Sequence, residues 1–272
     1  VEASKTNVRD FWDRAACGED LYLTSETTDG YAGQAARRYE LEPYILPFAD
    51  FGRWTGRKVL EVGVGLGADH QRFAEAGAVL WGIDLTDQAV QHTARRFQLQ
   101  GLHSTLATGD AENLDFPDNG FDLVYSWGVI HHSPDTARAA REILRVLQPG
   151  GEFRVMIYNR YSMIGLMLWL RYALLAGRPL RSLDDVYAHH LESPGTKAYT
   201  RDGAARLFAD AEGLRIQTVL THGDLLEGEA GQRHRGALLT VARRLWPRGL
   251  IRTLFPNAGL FMLISGRKPG NG

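Results

Sequence analysis

The stretch Lys58-Val59-Leu60-Glu61-Val62-Gly63-Val64-Gly65-Leu66-Gly67-Ala68 decides the fold. Lys58–Gly63 reads as a buried strand, and a helical pattern, Ala68–Ala76, follows the glycines. Glycines at such a handover let the backbone turn sharply and let a ligand approach the helix N-terminus. Gly63, Gly65 and Ala68 also satisfy the dinucleotide pattern G-x-G-x-x-A. The next strand, Val79–Asp84, ends in an acid placed to accept hydrogen bonds from two ribose hydroxyls. These two features fit NAD or another adenosine ligand equally, and a tight turn beside an ordinary helix start is the bland alternative.

Outward from that turn, strand-like and helix-like patterns alternate. Thr86–Gln98 reads as a helix, Ser104–Thr108 and Phe121–Ser126 as strands, and Pro134–Leu147 as a helix with apolar residues three and four apart. After a Pro149-Gly150-Gly151 turn comes the strand Glu152–Tyr158. Further on, Thr200–Ala211 reads as a helix, with Leu214–Thr221 and Gly259–Ser265 as strands. Such alternation predicts an α/β fold whose mostly parallel sheet is covered on both faces. Three parts fall outside it. Residues 1–55 predict a helical, aromatic-rich N-terminal cap before a main domain over 56–272. Insertions at about 160–199 and 224–256 interrupt that domain, the second as a basic helical segment.

Composition narrows the class. The 272 residues carry 31 Lys plus Arg against 32 Asp plus Glu, and 44% are hydrophobic. That much apolar surface offsets chain entropy, which excludes disorder as the dominant state. The near-neutral balance argues against nucleic acid as a whole-surface partner. Cys17 is the single cysteine, so an internal disulfide and a cysteine metal cluster are excluded; it reads as a packed small residue. Val1 to Asp20 lacks the uninterrupted apolar core of a signal peptide. The apolar run from Tyr161 is broken at Arg171, short of the roughly 20 residues of a spanning helix. A cytoplasmic protein is the expectation.

Later segments separate the nucleotide readings. Gly109-Asp110-Ala111-Glu112 follows the third strand, and Asp122 opens the fourth. Ser126-Trp127-Gly128-Val129-Ile130-His131-His132 and Leu144-Arg145-Val146-Leu147-Gln148-Pro149-Gly150-Gly151 come next. In order and spacing these resemble the motifs of class I S-adenosylmethionine-dependent methyltransferases, especially the group of quinone-pathway and small-molecule enzymes. The resemblance covers residues 55–158 well and resumes weakly over Thr200–Ser265. It implies a doubly wound, seven-stranded Rossmann-like sheet whose last strand is antiparallel, with S-adenosyl-L-methionine as cofactor and S-adenosyl-L-homocysteine as product. Gly63, Gly65 and Gly67 would form the turn under the methionine part, oriented by Glu61. Asp84 would hold the ribose hydroxyls and Leu85 would pack on adenine. Asp110 and the Ala111 backbone would read the adenine edge, with Ser126 and Trp127 beside the methyl group. An NAD-dependent oxidoreductase and a non-catalytic cofactor-binding protein stay as alternatives.

His131 and His132 invite a base or metal reading. The resemblance favours a structural or substrate-orienting role, with a base still open for one of them and no metal expected. The acceptor is expected to be a small, apolar or aromatic molecule, with a membrane-lipid or quinone-precursor acceptor also open. Its pocket is expected from the parts outside the sheet pattern: Trp12, Tyr22, Tyr158, Met167, Trp169, His189, His190 and Tyr199. Residues 160–178 predict a lid helix with Arg160, Arg171 and Arg178 near one face; a dimer contact and a membrane-surface helix are the other readings. After Glu229 the chain has eight basic residues and no acid. That segment is either a solvated basic face or a weak contact with an anionic membrane surface. The oligomeric state is left open.

Overall fold

Strand β1 (Lys58–Val62) is buried from Val59 onward, as a strand covered on both faces must be. A computed structural model describes residues 4–14, 16, 18–227, 244 and 246–270. Cys17 and, of the basic segment, Arg233, Arg235 and Arg243 lie outside the described residues. The other strands are β2 (Val79–Asp84), β3 (Thr105–Thr108), β4 (Phe121–Trp127), β5 (Leu147–Tyr158), β6 (Glu212–Val219) and β7 (Phe261–Arg267). They form one sheet in the order β3-β2-β1-β4-β5-β7-β6. Strands β1 to β5 pair in parallel, whereas β7 lies antiparallel between β5 and β6. An all-parallel dinucleotide fold has no such strand. The order reverses between β1 and β4, and the crevice at their carboxyl ends is where open α/β sheets bind ligands.

Both faces of the sheet are dry. Leu60, Val62, Val124 and Val155 pack on one side with Ile143 and Val146 of helix Thr136–Val146. On the other, Val59, Leu123, Tyr125 and Met156 pack with Phe73 of helix Ala68–Glu75 and with Ile45, Ala49 and Trp54 from the N-terminal region. Helices Lys5–Trp12, Glu19–Tyr22, Thr28–Leu41 and Ile45–Ala49 make up that region. A fully buried Arg96 attaches it to the sheet domain. Arg96 donates to Gln34 Oε1 and Tyr31 O of Thr28–Leu41, and to Leu66 O in the glycine turn. Arg38 adds a bidentate pair to buried Asp69, at 3.1 and 2.7 Å, and the hydroxyls of Tyr39 and Tyr125 donate to the same carboxylate.

Two expectations change. The lid helix is shorter than the spacing predicted: Met163–Trp169 is α-helical and Leu170–Leu174 a π-turn. Ser162 caps its start by accepting from Gly165 N, and Gly177 at φ 70° with Pro179 prevents continuation. Arg160 and Arg178 therefore lie beyond its two ends, and no arginine stripe forms; Arg160 pairs with Asp184 at 2.8 Å. Strand β5 begins at Leu147, not Glu152, running through Pro149-Gly150-Gly151 with a register shift against β4. Gly150, at φ 76°, makes that irregularity accessible to the backbone.

Candidate active site

The glycine turn is shaped by close approach. Gly63, Gly65 and Gly67 all hold positive φ, at 88°, 51° and 74°. A Cβ on Gly63 would lie 2.1 Å from Val129 Cγ2, and one on Gly67 2.8 Å from Thr93 Oγ1. A Cβ on Gly65 would meet nothing within 4 Å. Gly65 N donates to Asp84 Oδ2 at 3.1 Å, and the backbone and hydroxyl of Thr86 donate to Asp84 Oδ1. Asp84 is thus held rigidly at the end of β2. Burial raises its pKa despite these donors.

Beneath the turn, Glu61 Oε2 lies 2.8 Å from His70 Nδ1, and His70 Nε2 lies 2.8 Å from Ser104 Oγ. Burial pushes Glu61 well above the usual carboxylate range and His70 down to about 3. Both directions favour an uncharged pair. With Ser104 donating to Leu80 O, a protonated Glu61 donating to Nδ1 completes one consistent chain of donors.

A cavity of about 660 Å³ begins at this turn. At one end Glu61, Gly63, Gly65, Gly67, Asp84, Leu85, Asp110 and Ala111 line it, and Trp127, His132, Trp12, Tyr22, Tyr158 and Met167 line the remainder. Asp110 departs from the expected role in one respect. Its Oδ2 pairs with Lys5 Nζ at 2.6 Å, and Lys5 also reaches Glu112 at 2.6 Å. The N-terminal helix is thereby pinned across this end of the cavity.

The other expected residues point elsewhere. Ser126 and His131 are fully buried and absent from the cavity wall. Successive strand residues face opposite sides, so Trp127 in the wall places Ser126 on the far face. Burial and the neighbouring His132 hold the His131 pKa well below its ordinary value, which leaves a neutral ring out of reach of a substrate. Trp169 donates to Arg181 O and packs beside Leu168, Ala173 and Val186. His189 bonds Asp185 O, His190 stacks on Tyr172 at 3.8 Å, and Tyr199 packs against the core beside Asn159. None of these four lines the cavity.

The sequence pattern does not mark several charged wall residues, among them Arg38, Glu42 and Glu192. Glu42 follows helix Thr28–Leu41; its side chain is 15% exposed, with Oε2 3.4 Å from Arg38 Nη1. Burial pushes its pKa up to about 7, against the pull of Arg38 and with the help of Asp69. Arg38 stays charged, its pKa raised by Asp69 and Glu42 against burial. Glu192 accepts from the Tyr158 hydroxyl at 2.7 Å and lies 3.4 Å from His132 Nε2. His132 Nδ1 is in turn 2.8 Å from Ser193 Oγ. Arg38 and Glu42 sit four apart, which reads as an exposed ion-pair spacing; only tertiary packing turns them inward. Among the described residues no group of three or more metal-ligating side chains occurs.

Strand order and site together define an α/β enzyme of methyltransferase topology. A methyltransferase-domain profile matches residues 60–155. Over 186 residues the chain is 32% identical to a phthiotriol/phenolphthiotriol dimycocerosates methyltransferase of Mycobacterium tuberculosis, covering 62% of this chain and 67% of that one. Over 128 residues it is 35% identical to a sterol 24-C-methyltransferase of Yarrowia lipolytica, covering 46% of this chain and 34% of that one. The chain thus spans about a third of the sterol enzyme's length. A Haemonchus contortus phosphoethanolamine N-methyltransferase, solved with S-adenosylhomocysteine, superposes with a TM-score of 0.59 at 18% identity, over 96% of this chain and 60% of that one. The protein belongs to the S-adenosylmethionine-dependent methyltransferases.

Proposed function

We propose that the protein transfers a methyl group from S-adenosylmethionine to a small apolar or aromatic acceptor. The observation that carries this reading is the continuity of one cavity from the Gly65–Asp84 turn to a chamber walled by Trp12, Tyr22, Trp127, Tyr158 and Phe261. The residues fit the cofactor: the open space at Gly65 admits a ligand, and Asp84 is a fixed, half-buried acceptor for ribose hydroxyls. Leu85, Asp110 and Ala111 would hold the adenine side, and Glu61 the methionine side through the turn above it. When bound, S-adenosylmethionine supplies a methyl group already activated on a sulfonium. The protein's task is then to exclude water and to align the acceptor.

Trp127 is fixed for that task, stacked near Tyr44 at 6.0 Å and edge-on to Phe261 at 5.9 Å. An acceptor whose attacking atom must lose a proton finds Glu42 in the same wall, with a pKa suited to a base near neutrality. Glu192, engaged with Tyr158 and His132, orients polar groups on the acceptor. The relatives named for sterol and phthiotriol acceptors support an apolar substrate here. A methyl-transfer screen across phenols, apolar alcohols, amines, thiols and quinone precursors tests the reading. Turnover is expected with apolar hydroxyl compounds; turnover confined to strongly polar acceptors would overturn it.

A further inference from the structure

Among the described residues, ten large hydrophobic side chains are exposed, and eight come from two short segments: Tyr161, Leu166, Leu174, Leu175 and Leu180 from one, Leu250, Leu254 and Phe255 from the other. The segments are neighbours. Met163 N donates to Ala258 O at 2.9 Å. Buried Asp224 joins them again, accepting from Ile164 N at its carboxylate and from Trp246 Nε1 at its carbonyl.

This face also borders the cavity. Met167, Leu170, Arg171, Leu175 and Trp246 line it, and Arg171 and Leu175 are exposed as well, so the cavity reaches the surface here. Cations outnumber acids on the face: Arg160, Arg171, Arg178, Arg181, Arg244, Arg248 and Arg252 belong to it, with Arg160, Arg181 and Arg252 paired to Asp184, Asp185 and Glu227. A contiguous apolar patch on a water-soluble surface signals a binding face. Leucines set among arginines match a bilayer surface bearing anionic headgroups, where apolar side chains enter the acyl boundary and cations meet phosphate. Among the described residues no helix is long and apolar enough to cross a membrane, so the contact is with the surface.

We propose that the face formed by residues 161–180 and 248–255 docks on an anionic lipid bilayer, and that an apolar acceptor enters the cavity from the bilayer at Arg171 and Leu175. The entry half rests on the methyl-transfer reading; the docking half does not.

Co-sedimentation with vesicles of phosphatidylcholine alone, and of phosphatidylcholine with phosphatidylglycerol, tests docking at low and high salt. The full chain should pellet with the anionic vesicles at low salt and release at high salt. The double variant Leu180→Glu/Leu254→Glu should lose this binding, and Arg178→Ala should weaken it about fivefold. Each variant is checked for a retained melting shift with S-adenosylhomocysteine, which reports the cofactor site independently. Equal pelleting with both vesicle types, no pelleting with either, or an unaffected double variant would overturn the proposal. So would a dimer in solution that the double variant dissociates, because the face would then be covered by a second copy. Loss of the S-adenosylhomocysteine shift in the wild type would instead strike the methyl-transfer reading and leave docking to stand on the vesicle result.

Discussion

At the scale of single residues, the three glycines of the turn have separable duties. Gly63 is small because Val129 lies against it, whereas Gly65 faces open space in the cavity wall. Gly63→Ala should therefore lower stability, since a 2.1 Å contact forces the backbone or Val129 to move. Gly65→Val should keep the fold, at about 1–2 kcal/mol for a side chain at positive φ, and should abolish S-adenosylhomocysteine binding. Melting curves beside calorimetric titrations check the pair; a folded Gly65→Val variant with unchanged affinity would remove the turn from the ligand site. Glu42 is expected to shape the pH dependence. Its folded pKa of about 7 stands above the ordinary 4.5, so its contribution to stability is fully present below pH 4.5 and is lost as pH rises through 7. Glu42→Gln should flatten that decline and, for an acceptor that loses a proton, remove the rise of kcat/KM through pH 7. Denaturant melts and rate profiles from pH 4 to 9 would record both. Identical profiles for variant and wild type would show that Glu42 is a bystander.

Between residue and molecule, the element that governs the acceptor is helix Met163–Trp169 with the π-turn behind it. Met167 lines the cavity, while Trp169, two residues on, turns away to Arg181 and the Leu168–Val186 cluster. Met167→Ala should change kcat/KM for the acceptor and spare S-adenosylhomocysteine affinity. Trp169→Ala should cost on the order of 2 kcal/mol, less than a fully buried tryptophan, and leave per-molecule kinetics alone. Steady-state kinetics on both variants, normalised by folded fraction, separate the two; acceptor kinetics moved by Trp169→Ala alone would reverse the assignment. The sequence shows that this segment is apolar and too short for a membrane span. It conceals which residue faces inward, because helix phase here depends on where Ser162 caps and where the π-turn adds a residue. Glu192, His189 and His190 share the same obscurity: three polar neighbours at one helix end, of which packing against Tyr158 and His132 selects only the first.

For the whole molecule, the sheet was legible because its signals are local and repeated. Apolar runs, glycine turns and the acid ending β2 each follow from backbone sterics or burial. The antiparallel β7 entered through the resemblance, and the order β3-β2-β1-β4-β5-β7-β6 only with the structure, since no local signal shows where the last strand inserts. The acceptor chamber was the least legible part. It draws Glu42 from the N-terminal region, Tyr158 from β5, Glu192 from an insertion and Trp246 from near the C-terminus, and only tertiary packing joins residues so far apart in sequence. The central claim is that one cavity joins a nucleoside-binding turn to that chamber. Calorimetric titration of S-adenosylhomocysteine and of NADH into the wild type and Asp84→Ala tests it most directly. Hydrogen bonds to a charged group contribute about 1.5–3 kcal/mol each, so Asp84→Ala should bind S-adenosylhomocysteine at least about tenfold more weakly, with NADH binding neither protein. Binding of NADH to the wild type, or undiminished S-adenosylhomocysteine affinity in a folded Asp84→Ala variant, would contradict the account.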